Sequence, residues 1–123
     1  MKRLRAAHIP VVSLFISGRP LWTNREINLS DAFVAVWLPG SEGGAIADVL
    51  FTPGKGATAY DFTGRLSFSW PATAMPVAFF EGDQVKGAQF ARGFGLTLAR
   101  RQELGELPEK TMLAPAFAAR DSL

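Results

Sequence analysis

Apolar residues are concentrated in one block of the chain, residues 31–51. The first part of the block, residues 32–38, is an unbroken apolar run of the kind found in strands that are buried on both faces of a parallel sheet. The second part, residues 39–44, is rich in glycine and predicts a tight turn. The pattern therefore predicts a strand followed by a short loop, which is how the first half of a βαβ unit begins.

The last part of the block predicts a helix over residues 42–51. Ile46, Val49 and Leu50 recur at helical spacing, so they share one face of the helix. Asp48 lies on the opposite side, where a carboxylate is expected to be solvated. This amphipathic pattern indicates that the helix packs its apolar face against the preceding strand.

A second buried strand is predicted over residues 10–16, where Pro10 takes the first position and β-branched and aromatic residues follow. Residues 1–8 before it, which include Lys2, Arg3 and Arg5, predict the end of a helix. The alternative is a signal peptide, because such leaders also place basic residues before an apolar run. Residues 17–20 are a poor cleavage site, which favours the strand. Residues 17–30 are just long enough for a parallel crossover with at most one helical turn.

Polar and apolar residues alternate strictly over residues 65–70, which predicts a strand that ends at Pro71 and lies near a sheet edge or groove. Residues 52–59 carry three turn signals and predict a flexible surface loop. The last part of the chain is charged and contains proline. We therefore expect a domain over residues 1–98 and a loosely attached tail over residues 99–123.

These elements predict an α/β fold. The expected architecture is a partial doubly wound, mostly parallel sheet, in other words an incomplete α/β sandwich with an irregular C-terminal tail. A chain of 123 residues with 48% hydrophobic residues suits one domain that folds rather than a disordered segment.

Residue usage excludes several kinds of chemistry. The chain has no cysteine, so disulfides and thiolate metal sites are excluded. His8 is the single histidine, which excludes a metal site built from several histidines on this chain, as well as any catalytic triad that does not use His8. We expect neither a metal nor an organic cofactor.

The formal charge of the chain is only +2, and its basic residues are concentrated near the start, where five of them precede the first acid, Glu26. No basic stripe is interleaved with aromatic residues, so nucleic-acid binding is not expected. No apolar run reaches the roughly 18 residues that a membrane span requires.

Candidate functional residues follow the two predicted parallel strands. In open α/β sheets, ligands bind outside the carboxyl ends of the strands. By that rule Ser17 and Arg19 lie on the same edge as Glu42, and these three side chains are our candidates for contact with a substrate. Each interpretation has an alternative. Arg19 could pair with a surface acid, and Glu42 could merely favour the helix start beside Ser41, which is expected to cap it.

The end of the second strand carries Trp37, which we expect to lie mostly in the core rather than to serve as a platform for a sugar ring. The glycine turn that follows contains no recognised phosphate-binding pattern. No pair of acids stands out by its spacing, so no catalytic carboxylate is assigned. Asp31 and Asp61 are expected to be turn or cap residues.

Four segments resemble one known family. They are ISGRPL (residues 16–21), DAFVAVWLPGSEGGAIADVLF (31–51), DFTGRLSFSWP (61–71) and GFGL (93–96). Together they are similar to the C-terminal α/β sandwich domain of glycoside hydrolase family 3, in particular to its bacterial β-glucosidase and exo-glucanase type. The resemblance covers about residues 9–98, and the order and spacing of the segments agree with it.

The resemblance implies hydrolysis of terminal β-D-glucosyl residues by an enzyme with a catalytic barrel. In the family, that barrel carries an aspartate nucleophile, and in the exo-glucanase type the acid/base glutamate lies upstream of the ISGRPL-like segment. Neither position has a counterpart here, and AFFEGD (residues 78–83) departs from the usual Pro-Leu-Asn-x-Gly-Asp. We therefore expect a truncated copy, a remnant or a separately encoded piece of such an enzyme.

Three expectations about its biology follow from the resemblance. The chain contributes sheet and groove wall but no catalytic carboxylate, and a β-glucoside or β-glucan is its ligand only if a barrel domain completes it. The alternative is a non-catalytic domain that binds sugar or another protein. Missing neighbours would leave an open sheet, so we expect a homo-oligomer or a complex with a barrel-bearing chain. Related full-length enzymes are often periplasmic or secreted, but the localisation of this chain does not follow.

Overall fold

A computed structural model describes residues 1–51, 60–74 and 88–110 of the chain. The described elements are α1 (Lys2–Ala6), β1 (Val12–Ile16), α2 (Asn24–Asn28), β2 (Ala32–Trp37), a 3₁₀ turn (Gly40–Gly44), α3 (Ala45–Leu50), β3 (Trp70–Pro71) and β4 (Ala88–Phe90). They form one parallel pair, β1–β2, and one short antiparallel pair, β3–β4. The chain is thus of the α/β type, with a small parallel sheet and short helices.

The parallel pair β1–β2 confirms the two predicted strands and their relative direction. The pairing of the two strands begins beside two hydrogen bonds between Val11 and Asp31. The backbone N–H of Asp31 donates to the carbonyl of Val11 (2.8 Å), and the Asp31 carboxylate accepts from the N–H of Val11 (2.7 Å). Asp31 is therefore the turn residue that was expected, and it fixes where the two strands start. The short helix α2 lies in the crossover, as predicted.

One face of the parallel pair packs on Trp70, which is only 2% exposed. The Trp70 ring lies 5.8 Å from the ring of Phe15 and 6.2 Å from that of Phe33, both in edge-on geometry. Its indole N–H donates to the hydroxyl of Thr23 at 3.3 Å. Aromatic pairs of this kind contribute about 0.5–1.5 kcal/mol each beyond the area that they bury. Trp70 thus joins both strands and the start of α2 into one core.

The opposite face of β2 packs near α3. Val34 and Val36 line an apolar cavity of about 270 Å³ together with Ile46, Val49 and Leu50 of the helix. These three helical residues are the predicted apolar stripe, and Asp48 is exposed, so the predicted orientation of the helix is confirmed.

The same face of β1 is uncovered in the described part of the chain. Val12, Leu14 and Ile16 alternate with half-buried residues and are 52%, 42% and 62% exposed. The prediction that this strand is buried on both faces is therefore wrong for the chain as described. The reason is that α3 reaches β2 but leaves the neighbouring strand bare.

The helix after β2 begins differently from the prediction. Residues 40–44 form a 3₁₀ turn and the α-helix starts only at Ala45. Ser41 does not cap it, because its hydroxyl lies 3.3 Å from the Glu42 carboxylate and bonds to no backbone N–H. Gly40 adopts a positive φ of 54°, a conformation that glycine takes without strain. The turn therefore begins by means of glycine geometry rather than a side-chain cap.

The strand predicted over residues 65–70 is also wrong, because only Trp70 and Pro71 join a sheet. Leu66 instead bonds through its backbone to a glycine-rich turn, donating to the carbonyl of Phe94 (2.9 Å) and accepting from the N–H of Gly93 (2.8 Å). Phe68, which lies on the apolar face of that predicted strand, is 41% exposed. The apolar–polar alternation therefore did not correspond to a buried strand face.

Asp61 connects the segment that precedes residues 65–70 to the chain at Leu98. One carboxylate oxygen accepts from the backbone N–H of Phe62 (2.7 Å) and from that of Leu98 (2.8 Å). Asp61 thus joins two distant segments, rather than capping a helix or closing a turn as was expected. The predicted loop at residues 52–59, the apolar segment at residues 75–80 and the end of the tail, residues 111–123, lie outside the described residues.

Replacing Trp70 with alanine should destabilise the chain by about 3–5 kcal/mol, because it empties the centre of the core and leaves Phe15 and Phe33 without their shared partner. The matched control is Phe68→Ala, which removes an exposed ring and should cost less than about 1 kcal/mol. Urea unfolding followed by far-UV circular dichroism measures both. Similar losses in the two variants would contradict the assignment of Trp70 to the core.

Candidate functional site

The carboxyl ends of β1 and β2 lie side by side, as the parallel arrangement requires. Ile16 is paired with Trp37, and the next backbone N–H, that of Ser17, donates to the carbonyl of Trp37 at 3.2 Å. A β-carbon placed on Gly18 would lie 3.5 Å from the side chain of Leu38, which is ordinary van der Waals contact. The loops that follow the two strands therefore leave the same edge of the sheet.

Trp37 occupies an unusual place at this edge. The register shifts by one residue between Phe15 and Ile16, so Val36 is the extra residue of a bulge in β2. Trp37 has a φ of 54°, a conformation that is rare for bulky residues. Its side chain is 36% exposed, although its ring lies 6.1 Å from that of Trp70. The expectation that Trp37 lies mostly in the core is therefore only partly met, because the residue lies at the border of the core.

The loop after β1 is held in shape by Ser17. Its hydroxyl donates to the carbonyl of Arg19 at 2.7 Å and accepts from the N–H of Arg19 at 3.3 Å. The Arg19 side chain is exposed, and its guanidinium forms no hydrogen bond or ion pair with the residues that the structure describes. The alternative that Arg19 pairs with a surface acid thus finds no partner in this part of the chain.

Glu42 lies in the turn after β2 and is exposed to solvent. Its carboxylate accepts a hydrogen bond from its neighbour Ser41. Within the described ranges, the edge of the sheet thus carries an unpaired cation, in Arg19, and a solvated carboxylate, in Glu42. Groups of this kind can bind a polar ligand, but a single exposed acid does not supply the two carboxylates that glycoside hydrolysis uses.

Two further findings concern the described ranges. They contain no group of three or more histidine, cysteine or acidic side chains that could hold a metal ion. In the same ranges, no helix is long and apolar enough to cross a membrane.

Sequence reasoning missed a set of buried polar residues next to this edge. Thr23 is 3% exposed and Asn24 is fully buried, and both follow directly on the loop that carries Arg19. Asn24 and Asn28 are four residues apart, so they share one face of α2. This spacing was visible in the sequence, but two asparagines on a five-residue helix carry no sign of burial.

Comparison with known proteins identifies relatives in one family. Residues 1–98 match the family described as the glycosyl hydrolase family 3 C-terminal domain. The crystal structure of an exo-1,3/1,4-β-glucanase from a Pseudoalteromonas species is 51% identical, with a TM-score of 0.84 over 92% of this chain. A point mutant of the same enzyme is 52% identical, with a TM-score of 0.84 over 91% of the chain.

Two characterised relatives match at lower identity. The periplasmic β-glucosidase of Salmonella typhimurium is 41% identical over 69 residues, which are 55% of this chain and 8% of that protein. The xylan 1,4-β-xylosidase of Xylanibacter ruminicola is 33% identical over 106 residues, which are 79% of this chain and 12% of that protein.

The chain spans only a small part of these proteins, at most 18% of the two exo-glucanase chains and 12% of the two curated relatives. The family assignment rests on the match to residues 1–98, which include both strands of the parallel pair and the edge described above. The chain belongs to glycoside hydrolase family 3, and its residues 1–98 correspond to the C-terminal domain of that family.

Proposed function

We propose that the chain is part of a β-glucosidase-like glycoside hydrolase that removes terminal β-D-glucosyl residues. The observation that carries the proposal is the 52% identity, with a TM-score of 0.84, to an exo-1,3/1,4-β-glucanase over 91% of the chain. Identity at this level supports a common substrate class better than a shared fold alone would. The β-glucosidase and the β-xylosidase among the relatives also act on β-linked sugars, by their names.

In this proposal the chain supplies structure rather than the reacting groups. Retaining hydrolysis needs a carboxylate nucleophile and a second carboxyl that acts as acid and base. In the family, the nucleophile belongs to the barrel and the acid/base residue to a position before the ISGRPL-like segment. Neither has a counterpart in this sequence. The chain therefore contributes the β1–β2 pair and one wall of the substrate groove.

The groove wall is the edge at the carboxyl ends of β1 and β2, and we assign Ser17, Arg19 and Glu42 to it. Three observations support the assignment. The loops carrying these residues leave the same edge, the Ser17 hydroxyl fixes the backbone of Arg19, and the guanidinium has no partner among the described residues. The backbone of Arg19 is fixed, and its guanidinium has no partner among the described residues. The guanidinium can therefore donate hydrogen bonds to sugar hydroxyls.

The complete architecture in this proposal is the doubly wound α/β sandwich, of which the described chain forms one section. Its exposed apolar face on β1 then belongs to an interface with the rest of the enzyme. Residues Val12, Leu14 and Ile16 form a stripe that soluble proteins seldom leave in water. The partner is either a barrel-bearing chain or, when that is absent, a second copy of this chain.

Arg19→Ala should raise the KM for a β-glucan about tenfold or more in a family 3 enzyme that carries this segment, because it removes charged hydrogen bonds to the substrate. The change in kcat should be small, since Arg19 touches no reacting atom. Arg3→Ala, which removes an exposed charge on α1, is the matched control and should leave KM unchanged. An unchanged KM in the Arg19 variant would remove Arg19 from the groove wall.

The isolated chain should not hydrolyse an aryl β-glucoside, because both catalytic carboxylates are absent and each role is needed. The measurement is release of the aryl alcohol by purified chain over many hours. Glu42→Gln serves as the control, since Glu42 is the acid at the candidate edge. Turnover by the parent chain that this substitution abolishes would make Glu42 catalytic and overturn the proposal.

Sedimentation at micromolar concentration should find the isolated chain as a dimer or a larger species, because among the described residues β1 has both an unpaired edge and an exposed apolar face. Leu14→Lys, which places a charge on that face, should shift the chain toward monomer. Ala47→Lys adds the same charge to the exposed side of α3 and should leave the assembly unchanged. A sharp monomer with cooperative unfolding and no dye-binding apolar surface would contradict the exposed interface.

A further inference from the structure

We propose that Asn24 and Asn28 form a clasp that binds the backbone of residues 107–109 and makes this segment part of the folded unit. The segment lies beyond residues 1–98, which match the family, and sequence reasoning assigned it to a loosely attached tail. The partner of this face of α2 is thus an extended piece of the same chain, recognised mainly through its main-chain groups.

Asn28 makes the more extensive contact. Its side-chain amide donates to the carbonyl of Leu107 (2.9 Å), and its side-chain carbonyl accepts from the N–H of the same residue (2.9 Å). The two bonds satisfy both main-chain groups of Leu107, as a neighbouring β-strand would. The amide also donates to the Glu109 carboxylate at 3.0 Å. One side chain therefore makes two hydrogen bonds to Leu107 and a third to Glu109.

Asn24 adds a second attachment one helical turn earlier. It is fully buried, and its amide donates to the carbonyl of Pro108 at 2.8 Å. Proline has no N–H, so its carbonyl is the main-chain group available to a side chain at this position. The Asn24 amide is buried, so its bond to Pro108 satisfies a donor that water does not reach in the folded chain.

The clasp is directly linked to the centre of the core. Asn24 follows Thr23, whose hydroxyl accepts the hydrogen bond from the indole of Trp70. Thr23 and Asn24 directly follow the loop that carries Arg19. The bond from Asn24 to Pro108 therefore ties residues 107–109 to the short stretch that contacts Trp70.

The backbone N–H of Leu107 reports on the clasp, because it donates to Asn28 and should exchange with solvent slowly. Asn28→Ala should accelerate this exchange about tenfold or more, since it removes three hydrogen bonds. Asn28→Asp keeps the oxygen that accepts from this N–H and loses only the two donated bonds, so it should accelerate the exchange less than Asn28→Ala does. Hydrogen exchange followed by NMR on the full chain measures each amide separately.

Two controls separate the clasp from general loss of structure. Arg25→Ala changes an exposed residue of the same helix and should leave the Leu107 exchange rate unchanged. The N–H of Ser17, which donates to Trp37 in the parallel pair, is the internal reference for global unfolding. Alanine also favours helix over asparagine, so faster exchange in Asn28→Ala does not come from a weakened α2.

Glu109→Ala keeps the proposal testable if the Asn28 variants fail to fold. It removes one exposed hydrogen bond and should accelerate Leu107 exchange less than Asn28→Ala does, with Ser17 unaffected. The proposal is overturned if the Leu107 N–H of the parent chain exchanges as fast as an exposed amide. It is also overturned if neither Asn28→Ala nor Glu109→Ala accelerates that exchange.

Discussion

The packing of Trp70 against the aromatic residues of the parallel pair is the interaction on which the described structure depends. Trp70 brings together Phe15 of β1, Phe33 of β2 and Thr23 at the start of α2, all of them distant from it in sequence. Two strands without such a partner would be marginal in water. The hydrogen bond from the indole also holds Thr23, which follows the loop that bears Arg19, against the core.

The resulting core covers both faces of β2 but only one face of β1 in the described part of the chain. Trp70 covers one face of the pair, α3 covers the opposite face of β2, and the same face of β1 is left with three exposed apolar side chains. A parallel sheet is normally covered on both faces. The imbalance fits a section of a larger enzyme, and the family assignment agrees with it, because the relatives are much longer than this chain. In the proposed function, the bare face and the candidate groove wall are two separate surfaces of this domain.

The sequence predicted the elements whose signals are local and strong. The unbroken apolar runs indicated the two strands and their parallel pairing, and helical spacing indicated the stripe of Ile46, Val49 and Leu50. Prediction failed where a distant segment decides the conformation. Leu66 forms backbone hydrogen bonds with the turn at Gly93 and Phe94 rather than with a strand. The alternation of apolar and polar residues around Leu66 carries no information about that distant turn.

The candidate edge was predictable in its position but not in its details. The rule for parallel strands placed Ser17, Arg19 and Glu42 on one edge, and the adjacent loops follow that rule. The bulge that gives Trp37 its left-handed conformation depends on the register between the strands. The buried Asn24 amide bonds to Pro108, which is far away along the chain. Neither feature leaves a local pattern in the sequence.

In the proposed function, this chain supplies sheet and groove wall to a family 3 enzyme while the reacting carboxylates lie elsewhere. The most direct measurement replaces the matching section of the Pseudoalteromonas exo-glucanase with residues 1–98 of this chain and determines kcat/KM on a β-glucan. The chimera should fold and keep kcat/KM within about tenfold of the parent enzyme, a loss of at most about 1.4 kcal/mol in transition-state stabilisation. A chimera that has the same unfolding temperature as the parent enzyme yet hydrolyses no glucan would contradict the proposed function.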